Sequence, residues 1–82
     1  MRNTNEVGDE AQVGLRVCES LANIRKLSRI GQAEVARRLG VTRAHISALE
    51  RGTVTQVPFT TLVAWARVLG VELDIRFTAK ES

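Results

Sequence analysis

Between residues 21 and 51 lie seven cationic side chains, Arg25, Lys26, Arg29, Arg37, Arg38, Arg43 and Arg51, and only two carboxylates, Glu34 and Glu50. The segment therefore carries a local charge of +5 in a chain whose net charge is +3, which leaves the rest slightly acidic. A positive field gathered in one stretch suits contact with a polyanion. An arginine within it can present two parallel N–H donors to the O6 and N7 acceptors of a guanine.

Other chemistries lack the residues they need. His45 is the only histidine and Cys18 the only cysteine, so neither has the paired spacing of a metal site, and no internal disulfide can form. Paired carboxylates in a pocket context, a nucleophile beside a base and a phosphate-cradling glycine loop are all missing from the pattern. The expectation is a protein that is not an enzyme and takes no cofactor and no metal. Cys18 reads as a small packing residue. The sequence has no apolar run long enough for a bilayer and no signal-peptide core, and a lone cysteine fits a reducing compartment. A soluble, cytoplasmic protein without a membrane partner is expected.

The chain must then supply elements that hold the cations in place. Its 82 residues suffice for one small domain, with a core built mostly from Leu, Ile, Val and Ala. Residues 1–9 are polar and read as a flexible arm. From about Glu10 to Ser28, Val13, Val17, Leu21, Ile24 and Leu27 recur at helical intervals. A second, short helix spans Gln32 to Leu39, with Val35, Ala36 and Leu39 inward and Gly40 at its end. Thr42 offers a side-chain oxygen to cap a third helix, Arg43 to about Arg51, which buries Ile46 and Leu49 and stops at Gly52. Pro58 suits the first turn of a fourth helix, whose inward stripe is Phe59, Leu62, Trp65, Ala66 and Leu69.

After Gly70 the period becomes two. Val71, Leu73, Ile75 and Phe77 alternate with Glu72, Asp74 and Arg76, which predicts a strand over 71–78, with 79–82 a disordered tail. One strand cannot satisfy its own backbone. The simplest partner is the same strand of a second copy, antiparallel about a two-fold axis at Ile75, which sets Asp74 opposite Arg76 and Leu73 opposite Phe77. Trp65 is assigned with this strand to core or dimer packing.

Two short helices joined by a tight turn make a helix-turn-helix unit. Ala36, Gly40 and Ile46 supply the small residue, the turn glycine and the apolar anchor that the crossing requires. With Ile46 and Leu49 inward, Ala44, Ser47, Ala48 and Arg51 turn outward and Arg43 stands at the N-terminal end. Arg43 is the candidate for a bidentate guanine contact, and Ala44 and Ala48 for thymine methyls. Ser47 could reach a base or a phosphate. Arg37, Arg38 and Arg51 suit backbone phosphates, which position without specifying. His45 lies on the flank of the same helix, at the edge of the DNA.

The run IGQAEVARRLGVTRAHISALERG, continued by TTLVAWARVLGVEL, resembles the Xre family, the helix-turn-helix group of the lambda and 434 repressors. The resemblance implies an all-α, four- to five-helix DNA-binding domain over residues 10–70. It implies a phosphate contact from Gln32 at the start of the second helix and from Thr42 at the recognition-helix cap. It places Arg43, Ala44 and Ala48 at base edges, and Arg25 with Glu50 as a structural ion pair. Gly31 departs from the Ser, Thr or Asn usual in the family, which removes one phosphate contact. Small Ala44 and Ala48 limit hydrogen-bonded readout.

Four helices followed by one dimerising strand resemble antitoxins of the HipB type, which repress their own operon and bind a toxin. The expected function is a homodimeric, sequence-specific repressor on an inverted-repeat operator in double-stranded DNA, with a toxin protein as a further partner. The alternatives are a stand-alone phage-like or restriction-modification regulator, and a protein-interaction module that has lost DNA binding.

Overall fold

A computed structural model describes the backbone over residues 4–54 and 56–79, and side chains from residue 12 onward. It contains four helices among these residues: α1 (Thr4–Leu27), α2 (Gln32–Leu39), α3 (Arg43–Arg51) and α4 (Phe59–Val68). The domain is all-helical. α2 packs on α3 and α4, and α1 closes over α3 and α4.

Each break between helices has a local cause. Arg29 ends α1 by taking a left-handed conformation, φ 60°, with the Ile30 amide bonded back to the Arg25 carbonyl at 3.1 Å. Gly40, at φ 74°, closes α2, and the next amide, Val41, donates to the Ala36 carbonyl at 3.0 Å. Glycine adopts this left-handed turn without the steric penalty of a Cβ. Thr42 then caps α3, its hydroxyl oxygen accepting from the His45 amide at 3.1 Å. Gly52 stops α3 at φ 76°, and a Cβ there would meet Leu15 Cδ2 at 3.0 Å. The backbone angle calls for glycine, and an added Cβ would also crowd the end of the Leu15 side chain.

The core joins Cys18 and Leu21 of α1, Val35 and Ala36 of α2, Ile46 and Leu49 of α3, and Leu62, Trp65 and Ala66 of α4, with Leu69 just beyond. Cys18 is a packing residue here, and burial raises its thiol pKa.

Several expectations change. α1 starts at Thr4, where the sequence pattern put an arm over 1–9; residues 1–3 lie outside the described set. Its buried face is Cys18, Leu21 and Ala22, while Val13 and Leu27 are exposed. Val17 and Ile24 pack against the core as the stripe predicts, Cys18 is the small packing residue expected, and Ala22 is the buried residue the stripe passed over. Pro58 is the N-cap of α4 and lies before its first turn, and Phe59 is exposed. Trp65 has 0% exposure and belongs wholly to this chain's own core, so it offers nothing to a second copy.

No strand occurs among the described residues. Within one chain the 71–78 segment has no neighbouring strand to pair with, and a ladder cannot form without one. Its alternation survives in another form. Val71 and Leu73 pack against the core, Ile75 is 50% exposed and Phe77 95% exposed. Asp74 and Arg76 meet each other within the chain, at 3.0 Å. Of the expected tail at 79–82, only Ala79 lies among the described residues. No helix among the described residues is long and apolar enough to cross a membrane.

Candidate nucleic-acid interface

Ile46 and Leu49 hold α3 down; both are buried to about the last atom, at 0% and 1% exposure. The helix therefore presents its other side outward. Arg43, Ala44, His45 and Arg51 are exposed there, and Ser47 and Ala48 are half-buried between them. These positions form one continuous face along the nine residues of α3. Arg51 Nη1 donates to Ser47 Oγ at 2.7 Å, one turn back along this face. His45 turns to the flank, where it lines a shallow cavity with Val41, Thr60 and Thr61. Among the described residues no group of His, Cys, Asp and Glu could hold a metal ion.

Arg25 and Glu50 form a two-pronged ion pair. Arg25 Nε donates to Glu50 Oε2 at 2.6 Å and Nη2 to Oε1 at 3.0 Å, with side chains only 11% and 7% exposed. Arg25 Nη1 also donates to the Ile30 carbonyl at 2.8 Å, so one guanidinium ties the end of α1 and its turn to the end of α3. Burial pushes the Glu50 carboxyl up, but the hydrogen bonds from Arg25 and Gln32 and the charges of Arg25 and Lys26 outweigh it. The net effect holds Glu50 below the usual carboxylate range.

Gln32, the first residue of α2, meets two partners. Its Nε2 donates to Glu50 Oε1 at 2.9 Å, and its Oε1 accepts from Arg43 Nη1 at 2.8 Å. Arg25, Glu50, Gln32 and Arg43 thus form one chain of hydrogen bonds from the domain's interior to the tip of α3. The resemblance named Arg25 with Glu50 as a pair and Gln32 and Arg43 as separate DNA contacts, and gave no sign of this junction. Gln32 and Arg43 are separated by the turn, and only the crossing of α2 and α3 brings them together.

Arg37 and Arg38 both lean on Glu34. Arg37 Nη2 and Arg38 Nε each reach Glu34 Oε2 at 2.6 Å, and Arg37 Nε reaches Oε1 at 3.2 Å. The hydrogen bonds from Arg37 and then Arg38 lower the Glu34 pKa. The pairing of Glu34 with these arginines was not read from the sequence, although its spacing of three and four residues from them carried the signal. These pairs are exposed and weak in water. A phosphate can take the place of the carboxylate on either guanidinium.

The arrangement is a positively charged, rigidly seated helix whose outer face carries one long donor, two methyl-bearing residues and flanking cations. It can enter a duplex groove. A family model described as helix-turn-helix matches residues 21–75. No curated protein and no solved structure matches the chain.

Proposed function

The chain belongs to the helix-turn-helix family of the lambda-repressor, Xre type, a family of DNA-binding transcription regulators, and from that premise we propose that it is a homodimeric repressor that reads its operator with α3. The observation that carries this reading is the seating of α3 by Ile46 and Leu49, which turns Arg43, Ala44, Ser47, Ala48 and Arg51 toward solvent.

In the proposed complex the N-terminal end of α3 lies in the major groove. Arg43 bonds a guanine edge, and Ala44 and Ala48 touch thymine methyls. Ser47 reaches a base or phosphate. Thr42, Gln32, Arg37, Arg38 and Arg51 set the register on phosphates, and His45 borders the backbone. Arg43→Ala should weaken binding to a site selected from a randomised duplex pool by about 1–3 kcal/mol and relax the preference at one base pair. Titration of selected and altered duplexes checks this. An unaltered preference would remove Arg43 from the role of reader.

The homodimer draws support from the tail. Ile75 and Phe77 continue the alternation of Val71 and Leu73 but are left half and almost wholly exposed among the described residues. Pairing of this segment with its copy about Ile75 satisfies both backbones and exchanges the Asp74–Arg76 contact for one across the axis. Ile75→Glu with Phe77→Glu alters only side chains outside the chain's core. Sedimentation should then show a shift to monomer at an unchanged helical content, and a persisting dimer counts against strand pairing. A dimer so built binds inverted half-sites about one helical turn apart. Autoregulation as an antitoxin rests on the HipB-like order of helices and tail, and names a toxin protein as the second partner.

A further inference from the structure

We infer that Glu34 is a brake on DNA binding: by sharing one carboxylate between Arg37 and Arg38, it restricts the two arginines of α2 to the phosphate contact of a single one, on every duplex alike. The inference rests on the reading of Arg37 and Arg38 as phosphate contacts and adds the residue that opposes them.

The two carboxylates of the basic segment act in different places. Glu50 is paired beneath α3 with a guanidinium whose side chain is only 11% exposed, so that ion pair is out of reach of a duplex. Glu34 is paired on the surface of α2, where the Arg37 and Arg38 side chains are 70% and 48% exposed. Its ion pairs stand where a phosphate would arrive.

The geometry makes the competition direct. Glu34 Oε2 accepts from Arg37 Nη2 and from Arg38 Nε, each at 2.6 Å, and Oε1 accepts from Arg37 Nε at 3.2 Å. Arg37 thus gives the carboxylate its Nε–Nη2 edge, an edge along which a guanidinium offers two parallel donors to a phosphate. Arg38 gives up its Nε in the same way. Residues three and four positions after Glu34 lie on its own side of the helix. The carboxylate therefore stays beside both stems when the guanidinium heads turn to DNA. The hydrogen bonds from Arg37 and then Arg38 hold the Glu34 carboxyl below its usual range, so its charge persists at neutral pH.

Two guanidinium charges and one carboxylate leave α2 with a single uncompensated cation. A phosphate that approaches either arginine meets the carboxylate as well, and the repulsion offsets part of the attraction. Affinity for phosphates comes from the counterions released as they are neutralised. With Glu34 in place, α2 releases about as many as one unpaired arginine would. Phosphates are alike on every sequence, so the brake acts equally on selected and unselected duplexes. It loosens the hold on unselected DNA and leaves the preference set by α3 as it is.

The test measures affinity against salt concentration for four full-length proteins: wild type, Glu34→Gln, Arg37→Ala with Arg38→Ala, and all three substitutions together. Each is titrated with the duplex selected by the wild type and with a scrambled one. Glu34→Gln keeps the shape of the side chain and removes its charge. It should raise affinity for both duplexes by the same factor, roughly five- to tenfold at ~0.1 M salt, and steepen the slope of log affinity against log salt by about 0.9. In the triple variant, where no arginine remains to be released, the gain should shrink to a minor part. A gain of equal size there means repulsion by a distant charge and overturns the inference, as does a gain confined to one duplex. If Glu34 only stabilised α2, its replacement would lower Tm and leave the salt slope unaltered. That unaltered slope, beside one flattened by Arg37→Ala with Arg38→Ala, overturns the inference alone. A slope that the loss of both arginines leaves unaltered overturns it together with the reading of α2 as a phosphate contact.

Discussion

Replacing Arg25 with methionine is expected to cost about 3–5 kcal/mol of unfolding free energy at neutral pH. The substitution leaves Glu50 nearly buried with only the Gln32 amide beside it. It also frees the Ile30 carbonyl, which Arg25 holds at 2.8 Å. A small domain is stable by only about 5–15 kcal/mol, so the loss is a large share of the whole. Acid should diminish it. In the wild type Glu50 titrates below its ordinary range, so its contribution is complete above the unfolded carboxylate value and fades as pH falls through the folded one. In the variant the buried carboxyl, without its guanidinium, should titrate above the ordinary value. The variant is then penalised most at neutral pH and least once Glu50 is protonated. Urea unfolding between neutral pH and about pH 4 measures both effects. A cost under about 1 kcal/mol, or one that ignores pH, would show that the pair contributes no more than an exposed one.

Trp65→Ala should be comparably severe, at about 3–5 kcal/mol. Trp65 is the largest fully buried side chain, and it sits in α4 where the residues from all four helices converge. Truncation removes its buried area and leaves a cavity that rigid helices fill only in part. In a domain of this length each kcal/mol lowers Tm by about 4–8 °C, so thermal melting followed by circular dichroism gives the readout. Trp65 Nε1 finds no hydrogen-bond partner among the described residues. Trp65→Phe should therefore lose packing volume without losing a hydrogen bond, and be milder than the alanine variant. An alanine variant that melts within a few degrees of the wild type would mean that Trp65 does not organise the core.

The helix-turn-helix unit was legible because its boundaries are chemical. Gly40, Thr42 and Gly52 each mark a helix end with a residue suited to that end, and Val35, Ile46 and Leu49 fall at helical spacing. The outer face of α3 followed directly from its buried one. The end of α1 was less legible, since Arg29 adopts a conformation that its side chain does not favour and only the surrounding turn imposes. The face of α1 was right at Val17, Leu21 and Ile24 and wrong at its two ends, Val13 and Leu27. Ala22 gives a weak apolar signal and was passed over, although it is buried. Phe59 shows the converse, a large apolar residue left outside at the first turn of α4.

In the tail, the alternation of Val71 to Phe77 is real, but alternation states which side chains share a side and not which surface receives them. Val71 and Leu73 found the chain's own helices. At the site, the Gln32–Arg43 contact depends on the angle at which α2 and α3 cross. No local pattern encodes such a contact, whereas the Glu34 pairing with Arg37 and Arg38 lies within one helix and could have been read from spacing.

The closure of α3 at Gly52 limits how long an address one chain can read. Nine residues in α3 extend about 13 Å, which spans only some four base pairs of a duplex. The left-handed turn at Gly52, with φ 76°, ends the helix there. Four base pairs recur by chance roughly once in every few hundred, far too often to mark a single locus among the competing sites of a genome. In the proposed homodimer, uniqueness comes from counting two short words at a set distance, and not from making either word longer.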